Sequence, residues 1–111
     1  MEQDPIYIEH ILTRGNYFDI YIEIGNLSLH LERANMNDIR NFVDKFYNDE
    51  SVILTSYGTN ILSFLIQHDT GIDEIWIRSI PMGISLYLSR SDSELLVEKF
   101  SRLLNDHKNK L

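Results

Sequence analysis

Residues 17–32 read YFDIYIEIGNLSLHLE and alternate apolar with polar side chains on both sides of a central Gly25-Asn26 pair. A period of two places one set of side chains on each face of a β-strand. Gly25 suits the positive φ at the first central position of a type II′ turn, so the pair predicts a two-residue hairpin link. The stretch therefore predicts two antiparallel strands that share one apolar face.

Residues 6–13 predict a further strand, joined to this hairpin through the loop Arg14-Gly15-Asn16. Because a slip of one residue would turn the apolar set to the other face, the pattern itself selects the register. The predicted pairs are Ile6 with Ile24, Ile8 with Ile22, His10 with Ile20, and Leu12 with Phe18.

Residues 35–48 change to a helical period, with apolar side chains three and four positions apart. The predicted stripe is Ile39, Phe42, Val43, Phe46 and Tyr47. Asn35 or Asn37 is suited to cap the start of this helix. Residues 91–94, Ser-Asp-Ser-Glu, predict a capping box for a second helix, with Ser91 as the cap and Glu94 as its partner. Residues 105–111 are polar and predict a frayed end.

Between the helices, residues 51–55, 61–68, 75–80 and 84–89 predict four short strands. A consistent antiparallel register pairs Phe64 with Ile77, and Ile77 with Leu86. The element order is βββα-ββββα. It predicts an α+β fold of antiparallel β meanders with two amphipathic helices, in a single domain over 1–111.

Composition restricts the function classes. The chain has 17 acidic and 10 basic residues, a net charge of −7, and 13 acids against 4 bases give residues 1–74 a charge of −9. Such a field repels phosphate backbones, so we expect no nucleic-acid partner. The chain has no cysteine, no secretory-type start and no apolar run near the roughly 20 residues that cross a bilayer. We expect a cytoplasmic protein without a membrane partner.

Catalytic and cofactor motifs are missing from the sequence. The four histidines, His10, His30, His68 and His107, lack the spacing of a helical metal pair. Residues 68–74 hold His68, Asp69, Asp73 and Glu74, which we interpret as an acidic loop without the ligand spacing of a calcium loop. No serine lies in a glycine-flanked elbow, and no glycine-rich phosphate loop precedes a helix. The sequence predicts no enzyme, cofactor or metal site.

Two predicted sheet faces are candidates for recognition. The outer face of the second meander carries Ile61, Leu65, Trp76, Ile80 and Tyr87. It is either covered by the chain's own segments or a binding surface, since Trp and Tyr anchor interfaces. The outer face of the first hairpin carries Tyr7, Tyr17, Tyr21, Glu9, Asp19, Glu23 and Glu32. It is either a solvated face or a surface for Lys and Arg of a partner.

The element order over residues 6–107 resembles a Whirly-like arrangement, in which each of two antiparallel meanders is followed by a helix. Plant proteins of that architecture bind single-stranded DNA, but this acidic chain lacks their basic groove with interleaved aromatic residues. In size, charge and element order the chain also resembles bacterial immunity proteins, including those of contact-dependent growth inhibition. The second resemblance implies a protein that binds and neutralises a cognate toxin, often a nuclease with a basic active site.

The sequence thus predicts a non-catalytic, acidic protein-binding module, most concretely an immunity protein with a basic toxin as its partner. The alternative is a homo-oligomeric structural or regulatory domain that buries the Trp76 face, so monomer and homodimer both stay open. The predicted partner-binding residues are Tyr7, Tyr17, Asp19, Tyr21, Glu23, Glu32, Leu65, Trp76 and Tyr87.

Overall fold

The computed structural model describes residues 6–12, 17–57, 61–66 and 74–108, without the side chains of 10–12, 57, 107 and 108. Its elements are β1 (Ile6–Leu12), β2 (Tyr17–Ile24), β3 (Leu27–Asn35), α1 (Met36–Tyr47), β4 (Val52–Tyr57), β5 (Ile61–Ile66), β6 (Ile75–Ser79), β7 (Ile84–Tyr87) and α2 (Arg90–Lys108). The predicted α+β fold and its order βββα-ββββα are confirmed. The strands form two antiparallel sheets, β1-β2-β3 and β4-β5-β6-β7.

Strands β1 and β2 have the predicted register. Ile8 pairs with Ile22 and Leu12 with Phe18, as the hydrophobic pattern requires. The link between β2 and β3 is the two-residue Gly25-Asn26 turn, and Gly25 has a φ of +59°. The predicted loop Arg14-Gly15-Asn16, and the side chain of His10, lie outside the described residues.

A β-bulge that the sequence did not predict interrupts the pairing of β2 and β3. Phe18 pairs with Ala34 and Ile20 with Leu31, so two residues of β3, Glu32 and Arg33, face one residue of β2. That residue is Asp19, whose Oδ1 accepts a hydrogen bond of 3.1 Å from the backbone N–H of Arg33. Arg33 has a φ of 51°, in the left-handed region that a bulge residue often occupies.

The second sheet also keeps its predicted pairs, Phe64 with Ile77 and Ile77 with Leu86. Its strands are displaced from the predicted ones at their ends: the first runs over Val52–Tyr57 instead of 51–55, and the last stops at Tyr87. Ile80 belongs to the turn that leads to Gly83, which has a φ of +68°. The predicted extension of β5 over 67–68 lies outside the described residues.

Both helices are present with corrected ends. Asn35 caps α1, since its Oδ1 accepts the backbone N–H of Asn37 at 2.8 Å. Tyr47 was expected on the buried stripe of α1, but it is 59% exposed and packs edge-on against the Phe46 ring. The buried stripe of α1 therefore ends at Phe46, one residue before the end of the predicted stripe.

The prediction of Ser91 as the cap of α2 is wrong. Helix α2 begins at Arg90, and the Oγ of Ser89 accepts the backbone N–H of Asp92 at 3.1 Å. Glu94 lies within the helix beside Arg90 instead of closing a capping box. Helix α2 continues to Lys108, through the first residues of the predicted polar end at 105–111.

One core cluster joins the two sheets and the two helices. Its centre is a triad of phenylalanines from α1, β5 and α2, with ring centroids 6.1–6.4 Å apart and edge-on orientations. They are Phe42, Phe64 and Phe100, all fully buried. Helix α1 packs against β3, β4 and α2, and α2 packs against β1. This packing buries the inner faces of the sheets and leaves their outer side chains for other contacts.

Candidate functional site

The outer face of the first sheet, here called the acidic face, is formed by Tyr7, Glu9, Tyr17, Asp19, Tyr21, Glu23, His30 and Glu32. The strand register places tyrosines beside carboxylates, with Tyr7 opposite Glu23 and Tyr21 opposite Glu9. Tyr7 is 52% and Tyr21 41% exposed. The structure thus brings together the residues that the sequence predicted for this surface.

His30 lies at the centre of the acidic face. Its ring stacks on Tyr21 with centroids 4.3 Å apart and an interplanar angle of 12°. Its Nε2 lies 3.5 Å from Oδ1 of Asp19, and its Nδ1 lies 3.6 Å from Oε1 of Glu32. Sequence reasoning did not select His30 for the site, although the alternation of β3 already placed it on this face.

The tyrosines of the acidic face differ in their surroundings. The Tyr7 hydroxyl donates a hydrogen bond of 2.6 Å to Oε1 of Glu9. This bond, together with desolvation and the nearby charges of Glu9 and Glu23, raises the pKa of Tyr7 above its ordinary value of 10.0. The half-buried Tyr17 already contacts a cation of the same chain, because the guanidinium of Arg33 lies 5.4 Å from the centroid of the Tyr17 ring. A cation–π contact with arginine therefore already exists on this face.

The outer face of the second sheet, here called the tryptophan face, carries a row of apolar side chains across all four strands. The register aligns one residue from each strand: Ile53, Leu65, Trp76 and Tyr87. Ile53 is 63% and Tyr87 62% exposed, whereas Leu65 and Trp76 between them are half-buried. Of the two predicted alternatives, the exposed ends of the row favour a binding surface over coverage by the described segments.

Contacts within the tryptophan face fix the orientation of its rings. Trp76 and Tyr87 stack with centroids 5.3 Å apart and an interplanar angle of 7°. The indole N–H of Trp76 donates to the Oγ of Ser85 at 2.9 Å, and the Arg78 guanidinium lies 5.4 Å from the indole ring. Ile53 was missed by the sequence reasoning, which did not assign the register of β4 against β5.

Beside this row lies a shallow groove of about 310 Å³. Its apolar lining is Ile53, Ile61, Leu65, Ile80 and Pro81, and its polar lining is Thr55, Ser63 and Arg78. Ile61 and Ile80, both predicted for this face, are 48% and 76% exposed at its rim. The groove is apolar with one cation at its border.

The described residues offer no metal site, since no group of three His, Asp or Glu side chains converges among them. The predicted acidic loop of His68, Asp69 and Asp73 lies outside the described residues. Within 6–12, 17–57, 61–66 and 74–108, no helix is long and apolar enough to cross a bilayer. Comparisons with protein-family models, curated proteins and solved structures find no match to the chain.

Proposed function

We propose that the chain is a non-catalytic binding protein that uses its acidic face to hold a basic protein. In the most concrete form of the proposal it is a cytoplasmic immunity protein that blocks the basic cleft of a cognate toxin. One observation carries the proposal: exposed tyrosines and carboxylates alternate on a paired, core-backed sheet.

Rigidity supports binding by this face. Cross-strand pairing fixes the backbone of β1 and β2, and stacking on His30 restrains the Tyr21 ring. Side chains that are ordered before association lose less conformational entropy on binding. Tyrosine, with two side-chain torsions, loses little in any case.

Charge supports a basic partner. Glu9, Asp19, Glu23 and Glu32 lie on one face, within the part of the chain that has a net charge of −9. A surface of one sign attracts a partner of the other sign over long range and speeds association. Carboxylates pair with arginine through charge-assisted hydrogen bonds, and the contact of Arg33 with Tyr17 is the intrachain counterpart of an arginine held by a tyrosine ring.

The experiment compares two double variants of equal charge change. Glu9→Gln with Glu23→Gln alters the acidic face, and Glu94→Gln with Glu98→Gln alters two exposed carboxylates of α2. The binding probe is the protein encoded immediately upstream in the native genome, and the cellular assay is protection against its toxicity. We expect the acidic-face variant to lose about 10-fold or more in affinity, mostly through slower association, and the α2 variant to lose less than about 3-fold.

Binding by the wild-type chain should also weaken steeply as ionic strength rises, because exposed charges are screened. An affinity that is independent of salt and equal in the two double variants would contradict the proposal. A chain that gives no protection against the toxicity of the upstream-encoded protein would also contradict the proposal.

The alternative function, a homo-oligomeric structural or regulatory domain, is favoured by the exposed row of the tryptophan face. It uses a different surface, so self-association and partner binding are compatible in one molecule.

A further inference from the structure

The geometry points to the tryptophan face as a self-association surface on which a second copy of this chain docks, sheet against sheet. This inference rests on the alternative function given above and specifies its geometry, and it concerns another face and another partner than the binding of a basic protein. Contiguous exposed apolar patches in small proteins usually mark interfaces. Here the patch combines the row Ile53, Leu65, Trp76 and Tyr87 with the neighbouring Ile61 and Ile80.

Charge selects a second copy as the occupant. Each chain carries −7, so two copies repel one another over most of their surface. The strands of the second sheet contain no Asp or Glu, and Arg78 is their only charged residue. Two copies therefore meet with little charge repulsion between these strands. A basic partner, by contrast, finds no carboxylate in these strands and one arginine that repels it.

Two-fold symmetry gives this face a complementary charge. When the symmetry axis lies between the two sheets and runs along the apolar row, perpendicular to the strands, it reverses the strand direction, and Trp76 meets its own copy. Position 78 of one chain then comes opposite position 74 of the other, since both are two residues from the axis. These positions are Arg78 and Glu74, which precedes β6. The arrangement thus pairs a cation with a carboxylate twice and leaves the apolar row at the centre.

The area predicts a weak dimer. Four strands at about 4.8 Å spacing, with up to six residues at about 3.3 Å each, give a footprint of about 20 by 20 Å. Side chains from two such faces interdigitate as in a β-sandwich, with the sheets about 10 Å apart. The footprint is about 400 Å² per chain, or about 800 Å² in total before the corrugation of the surface is added, which is below the range of stable interfaces, so we expect a weak, transient dimer.

The experiment is sedimentation equilibrium of the full chain from about 1 to about 500 µM, a range that brackets a weak interface of this size. The single tryptophan of the chain gives a second readout, because burial of Trp76 shifts its emission to the blue as concentration rises. The test variant is Tyr87→Glu, and the matched control is Tyr47→Glu on α1. The two tyrosines are 62% and 59% exposed, so the same substitution is compared at equal exposure.

We expect the wild type and Tyr47→Glu to dimerise alike, and Tyr87→Glu to raise the dissociation constant at least about 30-fold, the effect of an interface hot spot. Ile53→Lys repeats the test if Tyr87→Glu loses its circular dichroism spectrum. Arg78→Glu should weaken the dimer, and its combination with Glu74→Arg should restore it. Substitution of Glu9 and Glu23 should leave dimerisation unchanged, which separates this inference from the proposed function.

A wild-type chain that stays monomeric up to about 500 µM would overturn the inference and assign the face to another occupant. A dimer that persists in both Tyr87→Glu and Ile53→Lys would do the same, because the contact would then lie elsewhere. A dimer that forms only with the upstream-encoded protein bound would also overturn it, since the face would not associate by itself.

Discussion

Substitution of Ser93, a serine buried in α2, tests how the last helix is attached to the second sheet. Ser93 is fully buried, and its Oγ accepts the backbone N–H of Ile75 at 2.9 Å. The carbonyl of Ile75 accepts the N–H of Leu88 at 2.9 Å, on the edge of β6 that pairs with β7. In an antiparallel ladder both bonds of Ile75 would go to that neighbouring strand. Ser93 therefore replaces the ladder partner where the chain leaves β7 and enters α2.

We expect Ser93→Ala to lower the free energy of unfolding by about 1–2 kcal/mol. Leaving a buried N–H without a partner costs about 1–3 kcal/mol. The higher helix propensity of alanine returns about 0.5 kcal/mol. For a domain of this size the loss corresponds to a fall of about 5–10 °C in Tm. Urea unfolding followed by circular dichroism measures the change, and the half-buried Ser101→Ala is the control, with an expected change within about 0.5 kcal/mol.

Ser79 provides a test of opposite sign. It is buried in β6, and its Oγ has no hydrogen-bond partner in the described part of the chain. Ser79→Ala removes a desolvated hydroxyl, so we expect unchanged stability or a gain of up to about 1 kcal/mol. Equal destabilisation by Ser93→Ala and Ser79→Ala would show that burial alone, and not the bond to Ile75, accounts for both effects.

Three further changes have defined outcomes. Phe64→Ala removes one ring of the buried phenylalanine triad and should cost about 3–5 kcal/mol in chemical denaturation, a large part of the total stability. Asn35→Ala removes the cap of α1 and should cost about 1 kcal/mol by the same measurement. Tyr7 should titrate above pH 10.0, because its hydrogen bond to Glu9 favours the protonated phenol. The stability linked to this protonated form is present below pH 10.0 and is lost as pH rises through the raised pKa, and Glu9→Gln should lower that pKa in an ultraviolet titration of the phenolate.

The alternation of apolar residues predicted the register of β1 against β2 and of β6 against β5 and β7, because a slip of one residue would expose a whole face. Pairs such as Ile8–Ile22 and Phe64–Ile77 follow from this constraint alone. The same alternation placed the tyrosines and carboxylates of the acidic face correctly. It also contained His30, whose importance depends on three-dimensional contacts with Tyr21 and two carboxylates that spacing does not show.

Local signals failed where two of them compete. Ser89 and Ser91 each precede an acidic residue by three positions, so either one fits a helix start. The requirement that Ser93 reach the backbone of Ile75 is a tertiary constraint, absent from the local pattern. The helix likewise continues past Leu104 because adding a residue to an existing helix costs little. Whether the tryptophan face is covered depends on where the helices pack, and the spacing of apolar residues in the sequence does not show this.

The bulge at Asp19 adds one residue to β3 between two positions of the inner face. Leu31 and Ala34 are both buried although they are three residues apart, which a regular strand does not permit. Deleting Arg33 would give a regular ladder in which Leu31 and Ala34, then two residues apart, still share the inner face. A residue inserted between Ala34 and α1 would instead rotate the start of the helix relative to the core, so this junction should tolerate insertions less well than exposed loop tips do. Tags or reporter inserts in this chain should accordingly avoid the segment from Leu31 to Ile39.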